Sequence, residues 1–100
     1  MPYGLHTEQL IEIQHTIAGN PNVTEAILFG SRAKGNQRSG SDVDIVLKGD
    51  QLTFDDILNI GVQFEESYLP FTFDVILFDH IKESELLDHI ERVGANIFKR

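Results

Sequence analysis

The sequence contains no cysteine and no tryptophan, one methionine and three prolines among its 100 residues. Without cysteine the chain cannot build the disulfide framework that stabilises many small secreted domains. No apolar run approaches the roughly 18 residues that a membrane-spanning helix needs. The first residues also lack the basic and apolar regions of a signal peptide. These absences favour a cytoplasmic protein with no membrane segment.

Basic residues are scarce, because eight lysines and arginines stand against sixteen acidic residues and give a formal net charge of −8. Such a chain repels a phosphate backbone, which argues against a polymeric nucleic-acid substrate. Three of the eight basic residues, Arg32, Lys34 and Arg38, nevertheless fall within seven positions in a stretch rich in glycine and serine. By itself such a cluster is more typical of a solvated turn than of a binding site.

The apolar pattern predicts three helices and three strands in a single domain spanning residues 1–100. The first helix is expected at 7–19, capped by Thr7. The second is expected at 54–67, with a capping box formed by Thr53 and Asp56. The third is expected from Ser84 onward, capped by Ser84 with Asp88. Strands are expected at 23–29, 42–48 and 71–78. This order predicts a small mixed sheet flanked by helices, an α/β or α+β fold.

Helical spacing also predicts which side chains face the core. On the middle helix the predicted inward stripe is Phe54, Ile57, Leu58, Gly61 and Phe64. On the last helix it is Leu86, Leu87, Ile90, Val93 and Ile97. Between the first two strands, residues 30–41 show no periodicity beyond one helical turn near Arg32 and Ala33, which makes this segment the candidate functional loop.

Three aspartates carry the candidate chemistry. Asp42 and Asp44 project from one face of the second strand, because alternate side chains of a strand share a face. Asp74 interrupts the apolar third strand, where burying a charge is costly unless something compensates it. Magnesium prefers such hard oxygen ligands, and two ions there would activate a hydroxyl and stabilise the leaving oxygens of a phosphoryl transfer. The alternative is that all three have ordinary turn, surface or hydrogen-bonding roles.

An Asp-x-Asp pair is uninformative alone, because a chain with eight aspartates often contains one by chance. Here Gly30 and Ser31 precede the pair at the end of a predicted strand, with ten residues between Ser31 and Asp42. A glycine lets the main chain approach a ligand closely, and the Ser31 hydroxyl and nearby N–H groups can bind phosphate oxygens. Arg32, Lys34 and Arg38 would add positive charge around a triphosphate.

Residues 30–45, GSRAKGNQRSGSDVDI, resemble the signature of the DNA polymerase beta nucleotidyltransferase superfamily. The short chain is similar to its minimal nucleotidyltransferases, which are commonly encoded beside a HEPN-domain protein. The resemblance implies the nucleotidyltransferase fold, with ATP as substrate. It further implies that Gly30 and Ser31 bind the triphosphate and that Asp42, Asp44 and Asp74 hold magnesium ions. Lys34 departs from the pattern, because arginine is more usual there and lysine lacks its forked geometry.

Only 26 residues follow Asp74 and they are expected to form one helix, whereas larger relatives carry a helical domain there. The acceptor side of the site is therefore expected to come from a partner or from a second copy in a homo-oligomer. The resemblance implies that the partner is a HEPN toxin, that a tyrosine on it receives AMP, and that this chain is the antitoxin. Two alternatives stay open: an antitoxin acting by binding alone, and a small-molecule nucleotidyltransferase with a helper subunit.

The four histidines, at positions 6, 15, 80 and 89, show no metal-ligand spacing. They are predicted to have surface or helix-end roles.

Overall fold

Four helices and four strands make up the computed structural model, which describes residues 1–100. The helices are α1 (Thr7–Ala18), α2 (Gly30–Lys34), α3 (Phe54–Glu66) and α4 (Ser84–Val93). The strands are β1 (Glu25–Phe29), β2 (Val43–Lys48), β3 (Phe73–Leu77) and β4 (Ala95–Lys99). The first three strands are each shorter than predicted and lie within the predicted ranges. No helix is both long enough and apolar enough to cross a bilayer.

The strands form one mixed sheet in the order β3-β2-β1-β4. Strand β1 is antiparallel to both β2 and β4, whereas β2 and β3 are parallel and are joined through α3. A parallel pair needs such a crossover connection, because a tight turn can only reverse the chain. The mixed sheet flanked by helices confirms the predicted fold class.

Strand β4 corrects the prediction that one helix runs through Ile97. Helix α4 ends at Val93, and Gly94 adopts extended backbone angles. A Cβ added at Gly94 would collide with the carbonyl oxygen of Ile90, so a glycine is needed where the chain leaves the helix. Ile97 is buried, but as part of the sheet, in a strand that pairs with β1.

The sheet has a core on each face. Alternate residues of β1 and β2, among them Leu28 and Ile45, face α1 and α3 in the larger cluster of fifteen buried residues. The intervening residues, among them Phe29 and Val46, face the other way and pack with Ile90 of α4. Because α4 covers only part of this second face, the polar residues on it can remain accessible.

Two predicted helix caps are wrong and one is confirmed. His6 rather than Thr7 is the N-cap of α1, and its main-chain N–H donates to the Gln9 side chain at 2.8 Å. Glu83 precedes α4, so Ser84 is already helical, and Asp88 instead pairs with Arg92. The Thr53–Asp56 capping box of α3 forms as predicted, with reciprocal bonds of 2.9 and 3.2 Å.

The predicted inward stripe of α3 is only partly right. Ile57 and Phe64 are buried as expected, and Ile60 joins them. Phe54 and Leu58 are instead 55% and 51% exposed. The buried face of α3 is therefore rotated from the predicted one, and an apolar stripe is left at the surface.

Candidate functional site

Gly30 is the junction between β1 and α2, and its position depends on having no side chain. Its φ of +77° lies in the left-handed region that favours glycine. A Cβ added there would collide with the Asp44 carboxylate. The pairing of Phe29 with Asp44 in the antiparallel register explains this contact, because Gly30 follows Phe29 directly. The main chain at Gly30 thus lies directly against a carboxylate.

The predicted carboxylates come together on the less covered face of the sheet. Asp44 and Asp74 are direct partners in the parallel register of β2 and β3. Asp44 is half-buried and Asp74 is exposed, and Asp42 lies exposed just before β2 begins. Burial raises the pKa of Asp44, and repulsion from Asp74 and then Asp42 raises it further. Asp42 and Asp74 are therefore close enough to Asp44 to oppose its ionisation.

The donor chemistry of this cluster suits magnesium, because all the candidate ligands are hard carboxylate oxygens. No group of three acidic, histidine or cysteine side chains is arranged to hold an ion by itself. Magnesium commonly completes its ligand shell with water and substrate phosphates, so a partial protein site fits the ion. The raised pKa of Asp44 marks the negative charge that a cation would offset.

Arg32, predicted to bind nucleotide, is instead buried and forms hydrogen bonds to the main chain beneath the site. Its side chain is only 3% exposed, and its guanidinium lies over the Phe71 ring at 4.8 Å. The guanidinium donates to four main-chain carbonyls at 2.8–3.3 Å, those of Tyr3, Gly4, Ser41 and Asp42. With these donors engaged, Arg32 connects the N-terminal segment, α2 and the chain entering β2, and we leave it out of the proposed phosphate ligands.

The other basic residues of the loop stay free. Lys34 and Arg38 are exposed, and neither forms an ion pair within the protein. Arg38 begins a turn that ends at Ser41: its main-chain N–H donates to the Ser41 hydroxyl at 2.8 Å, and the Ser41 N–H donates to the Arg38 carbonyl at 2.9 Å. Ser31 is partly exposed in the first turn of α2, beside Gly30. These three side chains can therefore reach an anion from the surface.

His89 is a site residue that the sequence analysis missed. It belongs to α4, and its Nε2 accepts a hydrogen bond of 2.9 Å from the Gly30 N–H. Its ring meets Phe29 edge to face at 6.2 Å. No local pattern marks it, because 59 positions separate it from Gly30 and only the packing of α4 on the sheet joins them.

Comparison with known proteins agrees with this geometry. The family model described as polymerase beta nucleotidyltransferase matches residues 11–100. No curated protein matches the chain.

Solved structures share the fold. A toxin–antitoxin complex crystallised with AMP-PNP contains a chain 20% identical, with a TM-score of 0.72, covering 96% of this chain and 75% of that one. A tri-AMPylated HEPN toxin in complex with an MNT antitoxin, from Shewanella oneidensis, matches at 16% identity and a TM-score of 0.63, covering 93% and 69%. A protein described as a putative nucleotidyltransferase, from Sulfolobus solfataricus, matches at 21% identity and a TM-score of 0.52, covering 97% of this chain and 92% of that one. With its sheet, its Gly30–Ser31 turn and its paired carboxylates, this chain belongs to the polymerase beta nucleotidyltransferase family.

Proposed function

We propose that this chain, as one nucleotidyltransferase domain over residues 1–100, transfers AMP from ATP to a tyrosine of a HEPN-domain partner in the cytoplasm. It would thereby act as the antitoxin. Two solved structures with a similar fold support this proposal: a toxin–antitoxin complex with AMP-PNP, and a tri-AMPylated HEPN toxin in complex with an MNT antitoxin. Nucleotidyl transfer itself accords with the family.

The observation that carries the proposal is the contact between the Gly30 main chain and the Asp44 carboxylate, with Asp74 paired to Asp44 on the next strand. A main chain free of side-chain bulk can approach phosphate oxygens closely. The carboxylates beside it are the ligands that magnesium uses together with a bound triphosphate. One surface therefore offers both components that a metal-dependent transfer from a nucleotide requires.

The proposed reaction is a substitution at the α-phosphorus of ATP. A bond forms from the acceptor oxygen to this phosphorus, the bond from this phosphorus to the bridging oxygen breaks, pyrophosphate leaves, and the hydroxyl proton passes to solvent water. Ser31 binds the triphosphate, Gly30 leaves room for it because it has no side chain, and exposed Lys34 and Arg38 offset its charge. Asp42, Asp44 and Asp74 would hold magnesium, which stabilises charge on the phosphoryl oxygens.

The test uses the purified chain, a HEPN-domain protein as the acceptor, ATP and magnesium. Intact-mass spectrometry should show the partner gaining one or more AMP groups, and peptide mapping should place them on tyrosine. The control is α,β-methylene ATP, whose bridge cannot be cleaved and which should leave the partner unmodified. If the partner is neutralised without gaining mass, the chain acts by binding alone. AMP found only on a small molecule would favour the alternative of a small-molecule nucleotidyltransferase with a helper subunit.

His89→Leu should weaken the use of ATP, because the part-buried Gly30 N–H loses its acceptor and its position. We expect the KM for ATP to rise about threefold to tenfold, the range for one hydrogen bond, with kcat nearly unchanged. His89→Gln keeps an acceptor near the same place and should restore most of the loss. His15→Leu, at an exposed position of α1, is the matched control. An equal KM in His89→Leu and wild type would contradict this role.

A further inference from the structure

An apolar stripe runs along the outer face of α3 and is not used by the core. Phe54, Leu58 and Val62 stand four residues apart and are 55%, 51% and 49% exposed. Residues four apart share one helix face, so the three form a continuous strip, which we call the α3 stripe. They are half of the six exposed large apolar residues in the protein. Gly61 beside them leaves open space, since nothing lies within 4 Å of a Cβ added there.

A groove separates the α3 stripe from β3. Its cavity of about 380 Å³ is lined by the stripe and Glu65 on one side and by Phe73, Asp74 and Val75 on the other. A second cavity of about 240 Å³ shares Phe54 and Val75 with it and continues towards the start of α4. Strand β3 is the edge of the sheet and pairs only with β2. We call the two cavities together with this free strand edge the β3 groove.

The β3 groove leads directly to the catalytic cluster. Asp74 lines the groove and is the register partner of Asp44. The Asp74 carboxylate shares the α4 face of the sheet with Asp44, whereas its neighbours Phe73 and Val75 face α3. A segment that lies along the free edge of β3 therefore passes between the α3 stripe and the Asp74 carboxylate. The nucleotide-binding residues Gly30 and Ser31 approach the same cluster from β1 instead, across β2. The groove thus suits the molecule that receives the AMP rather than the one that supplies it.

We infer that the β3 groove binds an extended segment of the acceptor protein and brings its hydroxyl to Asp74. This inference rests on the proposed function and assigns the surface that selects its substrate. A free strand edge presents unpaired main-chain N–H and C=O groups, which an extended polypeptide can pair with while its apolar side chains fill the adjoining pockets. Exposed apolar strips beside such an edge are typical of protein interaction sites.

The charge of the side chains that line the β3 groove indicates which kind of molecule fits it. The charged residues lining the larger cavity are Glu65 and Asp74, and the smaller cavity adds Glu83. No lysine or arginine lines either cavity. A triphosphate or a second copy of this acidic chain would bring like charges together there. A segment that combines apolar with basic residues is complementary to the groove.

The test compares Leu58→Asp and Val62→Asp with Ile11→Asp, a matched change at a 47% exposed position on α1 outside the groove. With a HEPN-domain protein as acceptor, the two groove variants should raise its KM at least about tenfold, because a carboxylate buried against apolar side chains loses its hydration without a partner. Ile11→Asp should behave as wild type. The affinity for ATP and the melting temperature should be similar in all four proteins.

A photo-crosslinking residue at position 62 provides a second measurement that does not depend on a destabilising charge. In the complex it should attach to the partner segment that contains the modified tyrosine. Crosslinking to a second copy of the chain, or to a distant part of the partner, would overturn the inference. So would groove variants that match Ile11→Asp. If wild type binds ATP but transfers nothing to the partner, the proposed function fails, whereas wild-type transfer with unimpaired groove variants refutes only the groove.

Discussion

Asp44→Asn is expected to lower the rate of AMP transfer about 1,000-fold, the largest loss of activity for any single change in this protein. The substitution removes a central anionic oxygen from the carboxylate cluster while keeping the size of the side chain. Charge stabilisation by a metal contributes several kcal/mol to such reactions, and each 1.4 kcal/mol is about tenfold in rate. The control is Asp50→Asn at an exposed turn position. Transfer at a near wild-type rate in Asp44→Asn would remove the metal-dependent mechanism.

The same variant should be more stable than wild type when magnesium is chelated. The pKa of Asp44 is raised in the folded protein, so between its unfolded value near 3.8 and the raised value the folded state binds more protons than the unfolded state. Stability of the wild type therefore falls as the pH rises through this window, and the loss is complete above it. An asparagine has no charge to desolvate, so Asp44→Asn avoids the loss.

Thermal melts at two pH values test this directly. In chelator the variant should melt above wild type at pH 7 and should lose this advantage near pH 3, where Asp44 is protonated in both states. Magnesium should raise the melting temperature of wild type more than that of the variant, because it stabilises only a folded state that binds it. A variant that melts well below wild type in chelator and responds equally to magnesium would make Asp44 a structural residue.

Arg32→Met is expected to cause the largest loss of stability, about 3 to 5 kcal/mol. Four main-chain carbonyls would lose a charged donor, and an unpaired buried polar group costs about 1 to 3 kcal/mol. Methionine keeps much of the apolar stem over Phe71, so the loss of stability in Arg32→Met reports mainly the loss of the guanidinium group. Urea denaturation of Lys34→Met provides the control, because Lys34 is exposed and should change stability by under about 0.5 kcal/mol.

Arg32→Lys distinguishes charge from geometry. An ammonium group keeps the charge but cannot reproduce the fork that reaches carbonyls on two sides of the guanidinium. We therefore expect Arg32→Lys to be closer in stability to Arg32→Met than to wild type. If Arg32→Met were as stable as Lys34→Met, the burial of Arg32 would have no structural role, and its place among the nucleotide ligands would have to be reconsidered.

Local sequence was enough to predict the backbone around the candidate site. The turn at Gly30 and the helical turn after it follow from short-range backbone geometry. The shared face of Asp42 and Asp44 stays a prediction, because Asp42 precedes the first residue of β2. The Asp56 side chain that caps α3 also acts within three residues of its partner. Asp74 was identifiable because a charge within an apolar strand is costly. Features of this kind need only neighbours within a few positions, which a sequence displays directly.

Tertiary structure alone decided the features that depend on distant partners. Residues 95–99 have an apolar spacing that also suits a helix, and they become β4 because β1 offers an open edge and Gly94 ends α4. Arg32 and His89 take their roles from groups that folding brings to them. The α3 stripe is exposed because Ile57, Ile60 and Phe64 already fill the space above the sheet. The sequence determined which residues could carry chemistry, whereas long-range packing determined which of them lie in the candidate site, which support it from the interior and which stay exposed.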